Sequence, residues 1–244
     1  MAGSRRRLGS IVTAAVVVLV MVGAAGWWFV LRDDAPGKAD IDTAAESLEA
    51  PSDGGDARDG GLDGEWAVDT SVGSFSDFSG TWAGYRFEEE LASIGGNTAV
   101  GRTSDVRGSM TVSDDQVTAV DVEVDLTTLQ SDSGRRDDAL RSRGLESDEF
   151  PNATFTLTEP LVLPAGVADG ERVSTQATGE LTIHGTTRPV TLTVDAQLSG
   201  DSAVVVGEAP VVLQDHGIDP PTGFSVLSIA DEGTFEFQIY FTRR

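Results

Sequence analysis

Gly179 to Leu198 reads Gly-Glu-Leu-Thr-Ile-His-Gly-Thr-Thr-Arg-Pro-Val-Thr-Leu-Thr-Val-Asp-Ala-Gln-Leu, and its alternation decides the fold class. Leu181 and Ile183 alternate with Glu180 and Thr182. Past His184-Gly185-Thr186-Thr187-Arg188, Val190, Leu192, Val194, Ala196 and Leu198 alternate with Thr191, Thr193, Asp195 and Gln197. Side chains of a strand repeat with a period of two, so this stretch predicts two strands, each with one apolar face. Gly185 supplies the positive φ that a tight connection needs. Pro189 is expected at the start of the second strand, where its missing N–H does least harm.

The same signature recurs on both sides. Strands are predicted at Trp82 to Phe87, Ser109 to Val112, Val117 to Leu126, Ala153 to Thr158, Val173 to Ile183, Val190 to Leu198, Ala203 to Leu213 and Gly233 to Thr242. Val120, Val122, Val124 and Leu126 form one apolar face, Phe155 and Leu157 another, and Phe235, Phe237, Ile239 and Phe241 a third. About eight strands with turn residues between them predict an all-β fold, an antiparallel barrel or sandwich. Arg135 to Glu146 lacks this alternation and reads as a short helix, with Asp137 placed four residues before Arg141 for a helical ion pair.

The ends of the chain set its organisation. Residues 1–10 carry Arg5-Arg6-Arg7, and an uninterrupted apolar stretch follows from Ile11 to Leu31. At ~1.5 Å per residue that stretch makes a helix of roughly 31 Å, enough for a hydrocarbon core of ~30 Å. Arginines before it and Asp33 and Asp34 after it predict a single-pass signal anchor at 11–31, with residue 1 cytoplasmic and the remainder extracytoplasmic. A cleavable signal peptide is the rival; the apolar run continues past the small residues Gly23 to Gly26, which favours the anchor. Residues 32–64, with Asp53-Gly54-Gly55-Asp56 and Asp59-Gly60-Gly61, read as a flexible acidic linker. One domain, 65–244, remains.

Of 244 residues, 40 are acidic and 17 basic, for a net charge of -23, and none is cysteine. This balance excludes a nucleic-acid footprint, and the lack of thiols excludes disulfides and thiolate catalysis. The two histidines, His184 and His216, have no metal-site spacing, and no nucleophile elbow or phosphate loop is present. Both histidines read as turn residues, and no catalytic constellation or cofactor site emerges. Arg135, Arg136, Arg141 and Arg143 cluster within an acidic domain. They read either as a patch for an anionic lipid head group or as partners of nearby carboxylates on a solvated helix.

The apolar faces carry the stronger functional signal. A barrel of about eight strands is either filled by its own side chains or open to one small apolar ligand. Val120, Val122, Val124, Leu126, Phe155, Leu157, Leu181, Ile183, Val190, Leu192, Val194, Phe235, Phe237 and Ile239 are the candidate lining; Arg135, Arg136 and Arg141 are the head-group candidates. The alternative is a structural or interaction domain with a filled core and an acidic surface for a cationic partner. A hydrolase ranks last.

Glu180-Leu181-Thr182-Ile183-His184-Gly185-Thr186-Thr187-Arg188-Pro189-Val190 closely resembles the signature hairpin of the YceI-like lipid- and polyisoprenoid-binding domains. Asp138-Ala139-Leu140-Arg141-Ser142 followed by Phe150-Pro151-Asn152-Ala153-Thr154-Phe155 is similar to the same family's helix-to-strand passage, and Gly217-Ile218 and the closing strand follow in order. The resemblance spans about Glu65 to Arg244. It implies an extended, lipocalin-like antiparallel barrel that holds a long isoprenoid or acyl lipid without catalysis. Two departures stand out. Trp66 to Ser71 lacks the histidines that family members often carry in their first strand. Leu213-Gln214-Asp215-His216 stands where many have an arginine before the Gly-Ile.

Overall fold

In the computed structural model, the described residues are 35–48 and 62–244, without 94, 165–166, 168–169 and 224. The predicted anchor at 11–31 and its basic tail lie outside them. No helix among the described residues is long and apolar enough to cross a membrane.

Thirteen strands form one antiparallel sheet. They are β1 (Gly64–Asp69), β2 (Trp82–Leu91), β3 (Gly95–Thr103), β4 (Val106–Ser113), β5 (Gln116–Asp125), β6 (Gln130–Ser131), β7 (Asn152–Leu157), β8 (Leu161–Val162), β9 (Val173–Ile183), β10 (Thr186–Ser199), β11 (Ser202–Val212), β12 (Val226–Ile229) and β13 (Glu232–Arg243). Eight of them close a ring in the order β1-β4-β5-β7-β9-β10-β11-β13, with β13 returning to β1. The long β13 makes this closure by dividing one edge. Tyr240 to Arg243 pair with β1, while Thr234 to Gln238 pair with β2, which continues the wall into β3 and β6.

The founding hairpin is tighter than its sequence suggests. His184 (φ 50°) and Gly185 (φ 67°) are both left-handed, the two-residue turn whose twist matches paired strands. β10 therefore begins at Thr186, and Pro189 falls inside the strand, opposite Glu180. It is tolerated there because β10 gains its second neighbour, β11, only from Thr193 onward. Asp114 and Asp115, also left-handed, turn β4 into β5 in the same way. Sequence alternation missed β1, β3 and the short β6, β8 and β12; Gly95-Gly96, a pair common in turns, opens β3 opposite Leu91.

Among the described residues two α-helices accompany the barrel: α1 (Ile41–Ala45) and α2 (Gly134–Arg143). Helix α2 has no buried residue and starts at Ser133, whose side chain accepts from the Arg136 N–H. Helix α1 revises the picture of a wholly flexible 32–64 linker. Asp40 caps it, and Ile41 and Ala44 bury themselves against Val204, Val206 and Tyr240 on the outer face of β11 and β13. The Tyr240 hydroxyl donates to the carbonyls of Ala44 (2.7 Å) and Ser79 (3.0 Å). Ahead of the helix, the carbonyls of Pro36 and Gly37 accept from Arg86 and Arg102. Residues 35–48 are thus an arm packed along the barrel wall.

Under that arm lies a second, polar core. Glu236, 2 % exposed, accepts from Arg102 Nη2 (2.7 Å) and Arg86 Nε (3.1 Å). The Arg102 guanidinium stacks 3.7 Å from the Trp82 ring and 4.5 Å from that of Phe78. A buried charge needs such complete pairing, because desolvation otherwise outweighs the attraction.

Candidate functional site in the barrel interior

The inward faces do not fill the barrel. They enclose a cavity of about 250 Å³ with an almost wholly apolar lining. β13 contributes Phe235, Phe237, Ile239 and Phe241; β10 contributes Leu192, Val194, Ala196 and Leu198; β5 contributes Val120, Val122 and Val124. Trp66 closes part of one end, its indole N–H donating to the Leu62 carbonyl at 3.2 Å. At the other end Leu129, Leu145, Leu213 and Ile218 pack against Tyr85, Phe87 and Ile183.

Two of the aromatic rings that line this space press close against glycine backbone. A Cβ added at Gly179 would stand 2.5 Å from the Phe155 ring, and one at Gly207 would stand 2.6 Å from the Phe237 ring. With hydrogen there instead, the rings lean on the wall and the lumen stays open.

Few polar groups reach the boundary. Glu236 borders the cavity, but strand alternation turns its carboxylate outward, into the Arg86 and Arg102 pair. Tyr85 lines the lumen, and its buried hydroxyl has no hydrogen-bond partner among the described residues. Burial pushes that hydroxyl well above the ordinary tyrosine range, so it stays protonated.

Every aliphatic and aromatic candidate named from the sequence borders the cavity except Val190, which packs with Leu192 and Val194 but borders a second groove. The arginines stand elsewhere. Arg136 is committed to Glu89 (2.6 Å) and Asp132; burial works against its charge, but the two carboxylates outweigh that and raise its pKa. Arg141 meets Asp138 at 3.5 Å on the surface, not Asp137, whose carboxylate accepts from the N–H and hydroxyl of Ser131. Arg135 is exposed. None of the three borders the cavity.

The histidines occupy turns. His184 Nε2 lies 2.7 Å from Glu146 Oε2 and its ring packs edge-on against Phe150; His216, 4 % exposed, bonds the Thr186 carbonyl through Nδ1 at 3.2 Å. No group of three or more potential metal ligands converges among the described residues. Leu62 and Leu145 line the cavity from irregular segments and Trp66 from β1, none of which alternation marks; Met110 lines it from β4, inside the strand expected at Ser109 to Val112, but was not among the candidates.

A closed eight-stranded antiparallel barrel around an apolar lumen places the chain among lipocalin-like barrels. Residues 62–241 match the family model described as YceI-like domain, and the chain belongs to that family. It is 28 % identical over 167 residues to Protein YceI of Shigella flexneri, covering 61 % of this chain and 83 % of that protein. It is 32 % identical over 145 residues to a UPF0312 protein of Pseudomonas aeruginosa, covering 56 % and 72 %. Among solved structures, a polyisoprenoid binding domain from Saccharophagus degradans superposes with a TM-score of 0.57 at 16 % identity, over 73 % of this chain and 98 % of that one. At that identity the likeness shows the fold alone.

Proposed function

We propose that this protein binds a single apolar chain, an isoprenoid or acyl lipid, inside its barrel and carries, stores or sequesters it at the outer face of a membrane. The observation that carries this reading is the unfilled apolar cavity of about 250 Å³. Apolar cavities of that kind stay dry and take up apolar guests; one of ~150 Å³ accepts a benzene ring, so this one accommodates on the order of ten carbons. Ten buried carbons at ~0.8 kcal/mol each give about 8 kcal/mol, equivalent to micromolar binding before ordering costs. An isoprenoid guest is favoured by the polyisoprenoid-binding relative of the same fold. The basic tail and the apolar stretch from Ile11 to Leu31 support a retained anchor with the barrel outside.

The test is to purify the full-length protein, extract it with organic solvent and identify the lipid by mass spectrometry. A long-chain isoprenoid or acyl lipid near one per protein is expected. A protein that comes out empty and also takes up neither polyprenol nor a prenylated quinone would refute the reading.

A further inference from the structure

Val190 has the inward parity of Leu192 and Val194 and packs with them, yet it borders a groove distinct from the main cavity. The reason is a parting of the wall. β10 and β11 pair from Ser199↔Ser202 only as far as Thr193↔Glu208. Beyond that point β10 runs on to Thr186 bonded to β9 alone, and β11 runs on to Val212 bonded to β13 alone. Pro189 and Pro210 stand on the two facing stretches, and neither has an N–H to donate across the gap.

The gap is a groove of about 380 Å³, bordered by Val190 and Pro189 on one side and by Pro210, Val211 and Val212 on the other. Val211 shares the inward parity of Ala209, so apolar residues that would face a sealed lumen here face the slot. Leu181 borders both the groove and the internal cavity. In place of a strand ladder, the 3-10 turn Leu213–His216 stitches the gap. Arg188 Nε donates to the Asp215 carbonyl at 2.9 Å, His216 Nδ1 meets the Thr186 carbonyl at 3.2 Å, and His184 Nδ1 meets the His216 carbonyl at 3.2 Å.

We propose that this slot between β10 and β11 is the doorway through which an apolar chain enters and leaves the barrel; the inference rests on the lipid-binding reading above. Opening it breaks three hydrogen bonds that involve side chains and no ladder bond. Parting any fully paired seam would expose a row of backbone groups, each of which must find a new partner. Past a polar rim of Arg188, Asp215 and His216, Val190, Val211 and Leu181 offer a chain in transit apolar contact toward the lumen.

The chain has no cysteine, so a paired substitution gives one defined cross-link. Val190→Cys with Val211→Cys places a thiol on each lip, to be joined by a short bis-methanethiosulfonate that a reductant cleaves. Thr193→Cys with Glu208→Cys, at the last paired rung, is the control. Full-length proteins in nanodiscs are loaded with tritiated farnesol and mixed with excess empty liposomes. The label retained is followed over time, with the loss from protein-free nanodiscs subtracted.

Cross-linking the slot is expected to slow release at least tenfold, with the rate restored by reductant, while the control cross-link leaves release unchanged. Release at the uncross-linked rate with the slot closed, or equal slowing by the control, would overturn the doorway and leave lipid binding standing. Nanodiscs with uncross-linked protein that hold no more label than protein-free ones would overturn both.

Discussion

Ala177→Leu separates an open barrel from a filled one by the sign of its effect. Ala177 is buried on β9 opposite Leu192, packs with Val194 and Ala209, and faces the cavity. The substitution adds three carbons, about 75 Å³ if a six-carbon ring needs ~150 Å³ of cavity. The lumen has about 250 Å³, so the added volume fits without displacing the wall. At ~24 cal/mol per Å³ of cavity removed, the gain is about 1.8 kcal/mol. In a domain of this size that raises Tm by roughly 4–7 °C. In a core already filled, the same three carbons would force neighbours off their rotamers and cost ~1–3 kcal/mol.

The ligand reads the change in the opposite sense. Three carbons' worth of guest contact is lost, ~2.4 kcal/mol at ~0.8 kcal/mol each, which weakens binding about fiftyfold. The assay is thermal unfolding of the full-length protein after lipid extraction, followed by titration with a ten-carbon prenol. A lower Tm with prenol affinity unchanged would refute both the open lumen and its use as the binding site.

Three further outcomes follow from the outer wall and the seam. Tyr240→Phe removes the hydroxyl that holds Ala44 and Ser79; it should cost ~1–2 kcal/mol in denaturant melts and speed protease cleavage within 35–48, and an arm no more cleavable than wild type would count against its docking. Glu236→Ala leaves Arg86 and Arg102 buried without their counter-ion, so a loss of ~3–5 kcal/mol is expected; one below ~1 kcal/mol would show that the pair is solvated. Asp69 accepts from Ser71 and from Thr242 across the closing β1–β13 seam, and chiefly the Ser71 hydroxyl holds its carboxyl below the ordinary 3.8. Its stabilisation is present above that pH and lost as pH falls through the depressed folded value. Asp69→Asn should therefore flatten the acid limb of a stability–pH profile, and an unchanged limb would exclude this carboxyl as a contributor.

The sequence made the wall legible and much of its packing illegible, for physical reasons. Long strands with one wet face advertise themselves by alternation, so the expected β5, β9, β11 and β13 lie within one residue of their bounds, while β10 starts four residues earlier than expected. β3 begins at Gly95-Gly96, and its inward residues Ala99 and Gly101 are too small to mark a face, so it read as a turn. The charge pattern of α2 reads either as an anionic head-group patch or as local ion pairs, yet which carboxylate an arginine meets depends on elements distant in sequence. Glu89 on β2 lies 47 residues from Arg136, beyond the reach of any local pattern. Val190 had the parity of a lumen residue; no periodicity could show that its strand parts from β11 three residues earlier than full pairing would require.

One local signal was present and undervalued. Ala203-Val204-Val205-Val206 is apolar at both parities, which for a strand means burial on both faces. Val205 looks into the lumen, while Val204 and Val206 lie under α1. The arm therefore covers β11 at the end where it is laddered to β10, and leaves it uncovered past Glu208, where the ladder stops and Pro210 begins the slot. Each of these features restrains the same end: the hairpin turn at Gly200, the seven paired rungs and the docked helix. The opposite end has the two prolines and three bonds that involve side chains. On the doorway proposal, strands laddered at one end and held at the other only through the 3-10 turn part like a hinge. Tyr240→Phe, which loosens the arm, should therefore speed release of loaded farnesol; an unchanged release rate would count against the hinge.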